Sequence, residues 1–277
     1  MASFERIGAA EPESPVVISV PHAGRDYPLS LRAALRVPAT AAMALEDRHV
    51  DAVALAARSN ETMFVQQLAR AWIDLNRGEH ERDPRVDDGA SPHSFPQASE
   101  KLRSGLGLIP RRATRAGDLW RRRFSAEEVA ARIEAAHRPY HAALADALGR
   151  ARARFGVAVL LDLHSMPPLS GTSPAQVVIG DRFGRSASAR FVSRIEAEAD
   201  CVVAVNSPYA GGHILESHGN PGRGIHAVQL ELDRALYLDG LLDRPGNGFA
   251  ATVALLRRII AALTDEAMSA PLAIAAE

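Results

Sequence analysis

Short runs rich in valine, isoleucine and leucine alternate along this 277-residue chain with long, alanine-rich stretches of helical periodicity. The apolar runs are nearly continuous and end in turn residues, which is typical of strands in a sheet covered on both faces. This alternation predicts one domain over residues 1–277, a three-layer α/β/α sandwich with a mixed, mostly parallel sheet. The predicted strands are 16–21, 62–66, 71–75, 157–163, 175–179, 201–205 and 225–232, and the predicted helices are 39–59, 125–154, 185–198 and 247–267.

Charge and composition exclude several classes of protein. The 32 basic and 33 acidic residues nearly cancel, so no nucleic-acid partner is expected. The basic run at 111–123 is a local exception, which we interpret as a solvated helix start or an anion-facing patch. No apolar stretch approaches the roughly 18–20 residues that span a bilayer, and the first residues lack a signal-peptide pattern, so a cytoplasmic protein is expected. The single cysteine excludes an internal disulfide and a cysteine-rich zinc site.

Two further segments carry local predictions. Ser125 and Glu128 have the spacing of a capping box at the start of the helix predicted at 125–154. Residues 78–118 are poor in apolar side chains and rich in glycine, proline, arginine and aspartate. A loop of this length is usually functional, so we expect it to cover a substrate.

Polar residues follow several of the predicted strands at the point where each strand ends. Ligands of open α/β sheets bind at the carboxyl ends of the strands, so these side chains are expected to meet at one edge. The residues delivered there are His22, Asp74, Asn76, Arg77, Asp162, His164 and Glu231.

Two of these residues are histidines, which together with a carboxylate can bind Zn²⁺ and leave one coordination position open. The segment LEDRHVD at 45–51 offers Glu46, Asp47 and Asp51 as the carboxylate. Asp47 and Asp51 are four residues apart and would share one face of a helix. A solvated acidic helix terminus explains the same residues, so the residues alone leave the choice open.

Arg77, Asn76 and Glu231 point to the handling of a substrate. An arginine fork matches a carboxylate in bidentate fashion, and an asparagine adds an amide, so Arg77 and Asn76 are candidates to hold a small anionic substrate. A structural pair of Arg77 with Asp74 is the alternative. Glu231 is the candidate general base that accepts a proton from metal-activated water. Its alternative is a structural ion pair near Asp233 and Arg234.

Several motifs, in this order, make the chain resemble the N-formylglutamate amidohydrolase family: SVPHAGRDYP, LEDRHVD, AWIDLNR, RPYHAAL, LLDLHSMP, GDRFGRSA and SPYAGGHILESHGNPGRGIHAVQLEL. The resemblance runs from about residue 16 to 260. It implies a fold similar to that of zinc carboxypeptidases and aspartoacylases, with one zinc ion. The implied roles are zinc ligation by His22, Asp47 and His164, carboxylate binding by Asn76 and Arg77, proton transfer by Glu231, and a loop near the substrate at Gly211 and Gly212.

The function expected from this resemblance is removal of an N-formyl, or another small N-acyl, group from an amino acid such as N-formylglutamate. Arg25 or a backbone N–H would help to hold the developing oxyanion. Alternatives are a carboxypeptidase-like or aspartoacylase-like hydrolase and a non-catalytic zinc- or carboxylate-binding protein. The expected partner is a small N-acyl amino acid, with no nucleic acid or membrane, and a homo-oligomer stays open.

Two positions depart from the family pattern. Arg48 stands where relatives tend to carry an aromatic residue, and Glu216 stands where they tend to carry an arginine. A glutamate that points into the site would repel a second substrate carboxylate, so these positions bear on the choice of substrate.

Overall fold

The computed structural model describes residues 3–91, 99–114 and 116–269. Among these residues, no helix is both long enough and apolar enough to cross a bilayer. The strands are β1 (Phe4–Ile7), β2 (Val16–Val20), β3 (Thr62–Gln66), β4 (Arg112–Ala113), β5 (Gly117–Asp118), β6 (Ala158–Met166), β7 (Val177–Gly180), β8 (Val203–Val205) and β9 (Ile225–Asp233). The helices are α1 (Leu29–Ala34), α2 (Ala39–Ala42), α3 (Val50–Ala57), α4 (Glu100–Arg103), α5 (Ala126–Arg132), α6 (Arg138–Phe155), α7 (Ala189–Glu198), α8 (His213–His218) and α9 (Phe249–Ser269).

Seven strands form one sheet in the order β1-β3-β2-β6-β9-β7-β8. The pairs β2–β6, β6–β9 and β7–β8 are parallel, whereas β7 and β9 are antiparallel. Every residue of β2 and β6 is buried, as expected for strands covered on both faces. The prediction of an α/β protein with a mixed, mostly parallel sheet is confirmed.

The chain divides into two compact units. The first contains Met1–Glu5, Pro21–Asp47 and Val65–Ala143, and the second contains Arg6–Val20, Arg48–Phe64 and Leu144–Glu277. Within the first unit, the buried Arg132 guanidinium lies 4.1 Å from the centre of the Trp72 ring and 4.0 Å from that of Phe124. Burial lowers the pKa of Arg132 to about 10. The two rings hold the guanidinium through cation–π contacts.

In the second unit, helices cover both faces of the sheet. The ring of Phe191, on α7, lies 4.5 Å from that of His226 on β9. His218, on α8, is close enough to Asp162 on β6 for the carboxylate charge to act on the pKa of His218. Side chains alternate between the faces of a strand, and β9 and β6 pair in register with Asp162 opposite Gln229. His226 and Asp162 therefore point to opposite faces, and so α7 and α8 lie on opposite faces.

Two predicted elements are wrong. Residues 71–75 form a turn instead of a strand, because the Asp74 carboxylate accepts a hydrogen bond from the Asn76 N–H at 2.9 Å and competes with strand pairing. The helix predicted at 39–59 is interrupted at residues 46–49, where His49 adopts a left-handed conformation with φ of 58°. Asp47 consequently precedes α3 and shares no helix face with Asp51.

The helix predicted at 125–154 is observed as α5 and α6, joined by a π-helical turn at Ile133–His137. The capping box of Ser125 and Glu128 is confirmed. The described parts of 78–118 contain α4 and the β4–β5 pair, while residues 92–98 and 115 lie outside the described residues. The interpretation of the basic run at 111–123 as a helix start is wrong, because this run contains the antiparallel strands β4 and β5.

Candidate active site

Polar side chains alternate with leucines on the two central strands β6 and β9. Asp162 and His164 on β6 are paired with Gln229 and Glu231 on β9, in the order Asp162–Gln229 and His164–Glu231. Because alternate residues of a strand point to the same face, these four side chains share one face of the sheet. All four residues are buried. Buried polar groups need hydrogen-bond or charge partners, so a row of four such groups marks this face of the sheet as a candidate functional site.

Asp162 holds His164 in a fixed orientation. Its Oδ2 atom lies 2.9 Å from His164 Nε2, and its Oδ1 accepts a hydrogen bond from the Ser19 hydroxyl at 2.8 Å. A carboxylate at one ring nitrogen fixes the tautomer and directs the other nitrogen outward as a ligand. Burial lowers the pKa of the neighbouring His218 to about 4, although the Asp162 charge acts in the opposite direction. His218 is therefore neutral at pH 7.

His22 is oriented in the same manner, two residues after the end of β2. Its Nε2 lies 2.7 Å from Asp74 Oδ1. Burial by itself would raise the pKa of Asp74. The positive charges nearby outweigh burial and keep the pKa of Asp74 well below its usual range. Arg70 makes the largest contribution to this effect, since its guanidinium lies 2.8 Å from the carboxylate, and His22 and Arg77 add to it. Asp74 is therefore ionised and can orient His22 over the whole physiological pH range.

The interrupted helix brings Asp47 to His22. The Asp47 N–H donates to the His22 carbonyl at 2.9 Å, and Asp47 Oδ2 lies 3.6 Å from His22 Nδ1. Glu46 instead accepts a hydrogen bond from the Tyr27 hydroxyl at 2.5 Å, and Asp51 belongs to the first turn of α3. Of the three acidic residues considered for the metal, Asp47 is the one beside a predicted histidine ligand.

Three predicted ligands have donor atoms within 4.8 Å of one another, namely His22, Asp47 and His164, and all three are buried. The 3.6 Å between His22 Nδ1 and Asp47 Oδ2 is close to the separation of about 3.4 Å that two ligands of a tetrahedral zinc ion adopt. The imidazoles of His22 and His164 are each hydrogen-bonded to a carboxylate, and Asp47 supplies a further carboxylate. This set of ligands fits a divalent ion. His137, His141 and His213 are also within 4.8 Å, but that group contains no carboxylate.

Glu231 lies on the strand next to His164 and is 8% exposed. Its Oε1 accepts a hydrogen bond from Gln229 Nε2 at 3.0 Å. Neighbouring strands lie about 4.8 Å apart, so the side chains of Glu231 and His164 leave the sheet next to each other. The Gln229 amide is an uncharged donor, so this hydrogen bond leaves the Glu231 carboxylate able to accept a proton.

Asn76 and Arg77 are buried in the turn that follows Asp74. Arg77 donates from Nε to the Leu106 carbonyl at 2.7 Å and from Nη1 to the Asn76 carbonyl at 2.5 Å. Among the residues that the structure describes, none accepts a hydrogen bond from Arg77 Nη2. A buried guanidinium held by two carbonyls keeps donors available for an anion.

The remaining predicted residues occupy different surroundings. Arg25 is exposed, and its Nη1 donates back to the Ala23 carbonyl at 3.2 Å. Gly211 has φ of +105°, and a Cβ there would lie 2.5 Å from Leu215 Cδ2, so this loop requires glycine. Gly212 is the residue before α8.

The two residues that depart from the family pattern both have charged partners. Glu216 Oε1 accepts from Arg182 Nη2 at 2.7 Å, and the Glu216 side chain is 55% exposed. Arg48 lies 2.9 Å from the Asp243 carboxylate. The negative charge of Glu216 is thus compensated by a neighbouring cation.

The orienting roles of Asp74 and Asp162, and the contacts of Ser19 and Gln229, were missed in the sequence. The signal was present in LLDLHSM and AVQLELD, where Asp-x-His and Gln-x-Glu interrupt apolar strands at a spacing of two. A polar residue two positions from a candidate ligand shares its face of the sheet. This rule identifies Asp162 and Gln229, whereas Asp74 lies on a turn and has no such periodicity.

Fold and site together define an α/β protein with a candidate metal site at the carboxyl ends of β2 and β6. A model of the N-formylglutamate amidohydrolase family matches residues 14–238, and the chain belongs to this family. Membership makes the protein an amidohydrolase, which cleaves amide carbon–nitrogen bonds.

Individual relatives agree with this assignment. The chain is 29% identical over 238 residues to N-formylglutamate deformylase of Pseudomonas aeruginosa, with 81% of this chain and 82% of that protein aligned. It is 30% identical over 236 residues to N-formylglutamate deformylase of Pseudomonas putida, with 81% and 82% aligned. The crystal structure of N-formylglutamate amidohydrolase from Ralstonia eutropha JMP134 matches with a TM-score of 0.83 and 31% identity, over 96% of this chain and 98% of that one.

Proposed function

We propose that this protein is a zinc-dependent deformylase that hydrolyses N-formylglutamate to formate and glutamate. The observation that carries the proposal is the group of His22, Asp47 and His164, whose ligand atoms lie within 4.8 Å of one another, beside the buried Glu231. The names of the relatives support the substrate.

His22, Asp47 and His164 would hold the ion. When bound, zinc supplies Lewis-acid chemistry and makes water acidic enough to act as a nucleophile near neutral pH. Asp74 and Asp162 keep the two imidazoles in place, so that the ligand nitrogens need not reorganise when the ion binds.

Glu231 acts as the general base and then as the general acid. Its carboxylate accepts a proton from the attacking water as the new bond to the formyl carbon forms. It then returns the proton to the amide nitrogen as the carbon–nitrogen bond breaks, and the products are formate and the free amino group. Gln229 orients the carboxylate through the 3.0 Å hydrogen bond and carries no charge that would compete for the proton.

Arg77 and Asn76 bind the α-carboxylate of the substrate. The Arg77 guanidinium is buried and anchored, so it loses little side-chain entropy when it binds an anion. The pairing of Glu216 with Arg182 is compatible with N-formylglutamate as substrate, because it compensates the negative charge that would otherwise repel the second carboxylate. The preference for glutamate is taken from the names of the relatives.

Formate release from N-formylglutamate by the purified, zinc-loaded protein tests the proposal. The Glu231→Gln variant keeps the size of the side chain but cannot accept the proton. It should retain zinc and lose turnover by about 10²–10⁴. Glu196→Gln, on the exposed side of α7, is the matched control and should keep full activity.

Two results would contradict the proposal. Turnover of Glu231→Gln within a few-fold of the parent would assign the base elsewhere. If N-formylglutamine were hydrolysed faster than N-formylglutamate, the substrate assignment would be wrong while the reaction class survived.

A further inference from the structure

A second concave surface lies within the first unit, formed by the basic run identified in the sequence at 111–123, by Arg36, two residues after α1, and by Arg85. It is a cavity of about 220 Å³ lined by six arginines and one acidic residue, Asp118. The arginines are Arg36, Arg85, Arg111, Arg121, Arg122 and Arg123. None of these residues has a part in the proposed hydrolysis.

Backbone pairing holds the two arginine-bearing segments side by side. Leu35 and Trp120 form an antiparallel bridge. The Arg36 N–H donates to the Leu119 carbonyl at 2.8 Å, and the Arg121 N–H donates to the Ala34 carbonyl at 2.9 Å. The indole N–H of Trp120 is anchored to the Pro110 carbonyl at 2.8 Å. The wall of the cavity is therefore built by ordered backbone and is not a chance meeting of flexible side chains.

Acidic residues neutralise three of the arginines. Arg111 donates to Asp83 at 3.0 Å and to Asp118 at 2.5 Å. The Arg122 guanidinium forms two hydrogen bonds with Glu128, and Arg123 lies 2.6 Å from the Asp88 carboxylate.

Arg36 and Arg121 differ from these. Arg121 uses only Nε, which donates to the Leu35 carbonyl at 2.7 Å. Within residues 3–91, 99–114 and 116–269, no acceptor is found for its two Nη atoms or for any part of the Arg36 guanidinium. Cations that line one cavity without counter-charges repel one another and destabilise the fold. An anion that bridges them removes this repulsion.

We propose that this cavity binds a small, multiply charged oxyanion of the phosphate class, held by Arg36 and Arg121 at a site separate from the amidohydrolase site. Guanidinium forks match the oxygens of phosphate in bidentate fashion. The concave shape and limited volume favour a small ion over a polymer. The chain as a whole has a formal charge of −1. A nucleic-acid-binding protein typically carries an excess of basic residues, so a polymer is not the expected ligand.

Calorimetric titration of the zinc-loaded protein with inorganic phosphate and with inorganic pyrophosphate at low ionic strength tests the site. Saturable binding of one ion per chain at the arginine cavity is expected, in addition to any ion bound by the zinc, and it should be tighter for pyrophosphate because pyrophosphate carries more charge. The Arg36→Ala/Arg121→Ala double variant should bind pyrophosphate at least about ten-fold more weakly, as expected for loss of hydrogen bonds to a charged group. Arg244→Ala is the matched control, since the Arg244 side chain is 83% exposed and belongs to the second unit.

A further variant separates this site from the metal site, because pyrophosphate also binds zinc. His164→Ala should keep the tight pyrophosphate binding if the arginine cavity is responsible, whether or not the variant retains metal or activity. Circular dichroism and thermal unfolding establish that each variant is folded.

Three outcomes would overturn the proposal. They are the absence of saturable binding to the parent, equal affinity of the double variant and the parent, and loss of binding in a folded His164→Ala variant. A single-stranded oligonucleotide of about 20 nucleotides that binds tightly and is not displaced by pyrophosphate would also overturn it, in favour of a polymer-binding surface.

Discussion

Replacing Asp162 by asparagine removes one negative charge from the buried face of the sheet while preserving the shape of the side chain. Asp162 is 0% exposed and accepts hydrogen bonds from both Ser19 and His164. Asparagine can offer only its carbonyl oxygen to these two donors. One of the two bonds is weakened, and the imidazole loses the carboxylate that raises its basicity.

The size of the effect follows from the role of such carboxylates at metal sites. Loss of a group that orients a ligand typically lowers metal affinity by about 10–100-fold, which corresponds to about 1.4–2.7 kcal/mol. Asp162→Asn should therefore bind zinc 10–100-fold more weakly than the parent, and at saturating zinc it should keep a larger part of its activity than Glu231→Gln.

Competition with a chromophoric zinc chelator measures this affinity directly. Ser19→Ala is the control, because it removes the hydroxyl and leaves the bond between Asp162 and His164. Its zinc affinity should stay within about two- to three-fold of the parent, since the lost hydrogen bond from Ser19 acts on folding and not on the ligand His164. If Asp162→Asn bound zinc as tightly as Ser19→Ala, Asp162 would have no orienting role at a metal site.

Two further predictions concern the substrate and the response to pH. Arg77→Ala should lower kcat/KM for N-formylglutamate about ten- to a hundred-fold, as expected for hydrogen bonds to a charged group, and an unchanged kcat/KM in steady-state assays would place the α-carboxylate elsewhere. Burial lowers the pKa of His226 from 6.5 to about 4, so the neutral imidazole stabilises the fold above pH 6.5 and this contribution is lost as the pH falls toward 4. Urea unfolding of His226→Asn should therefore show an acid loss of stability up to about 3 kcal/mol smaller than that of the parent, and identical losses would refute the assignment.

Much of the sheet could be predicted because long apolar runs leave few alternatives to a buried strand. The prediction at 62–66 matches β3, and the predictions at 157–163 and 225–232 lie almost wholly within β6 and β9. The prediction at 71–75 failed because a side chain, Asp74, takes a backbone N–H that a strand would need. The role proposed for Asn76 and Arg77 does not depend on that strand, because both residues directly follow Asp74, whose carboxylate contacts His22.

The helix predicted at 39–59 failed for a related reason. Its composition is helical throughout, but the Asp47 N–H donates to the carbonyl of His22, which is distant in the sequence. Local propensity contains no information on that partner, and tertiary contacts override it. The same contact places Asp47 beside His22, in contrast to Glu46 and Asp51. In the sequence, the prediction of Asp47 as the ligand needed the family resemblance, because spacing alone left the three residues open.

The groups proposed for chemistry and those proposed for recognition occupy different kinds of backbone. His164 and Glu231 are fixed by the register of two parallel strands, whereas Asn76, Arg77 and the loop at Gly211 belong to turns. Turns tolerate substitution and changes of length far better than central strands do. Divergence can therefore change which acyl amino acid is accepted while the hydrolytic machinery stays intact. A library confined to these turns should yield altered specificity with few inactive members.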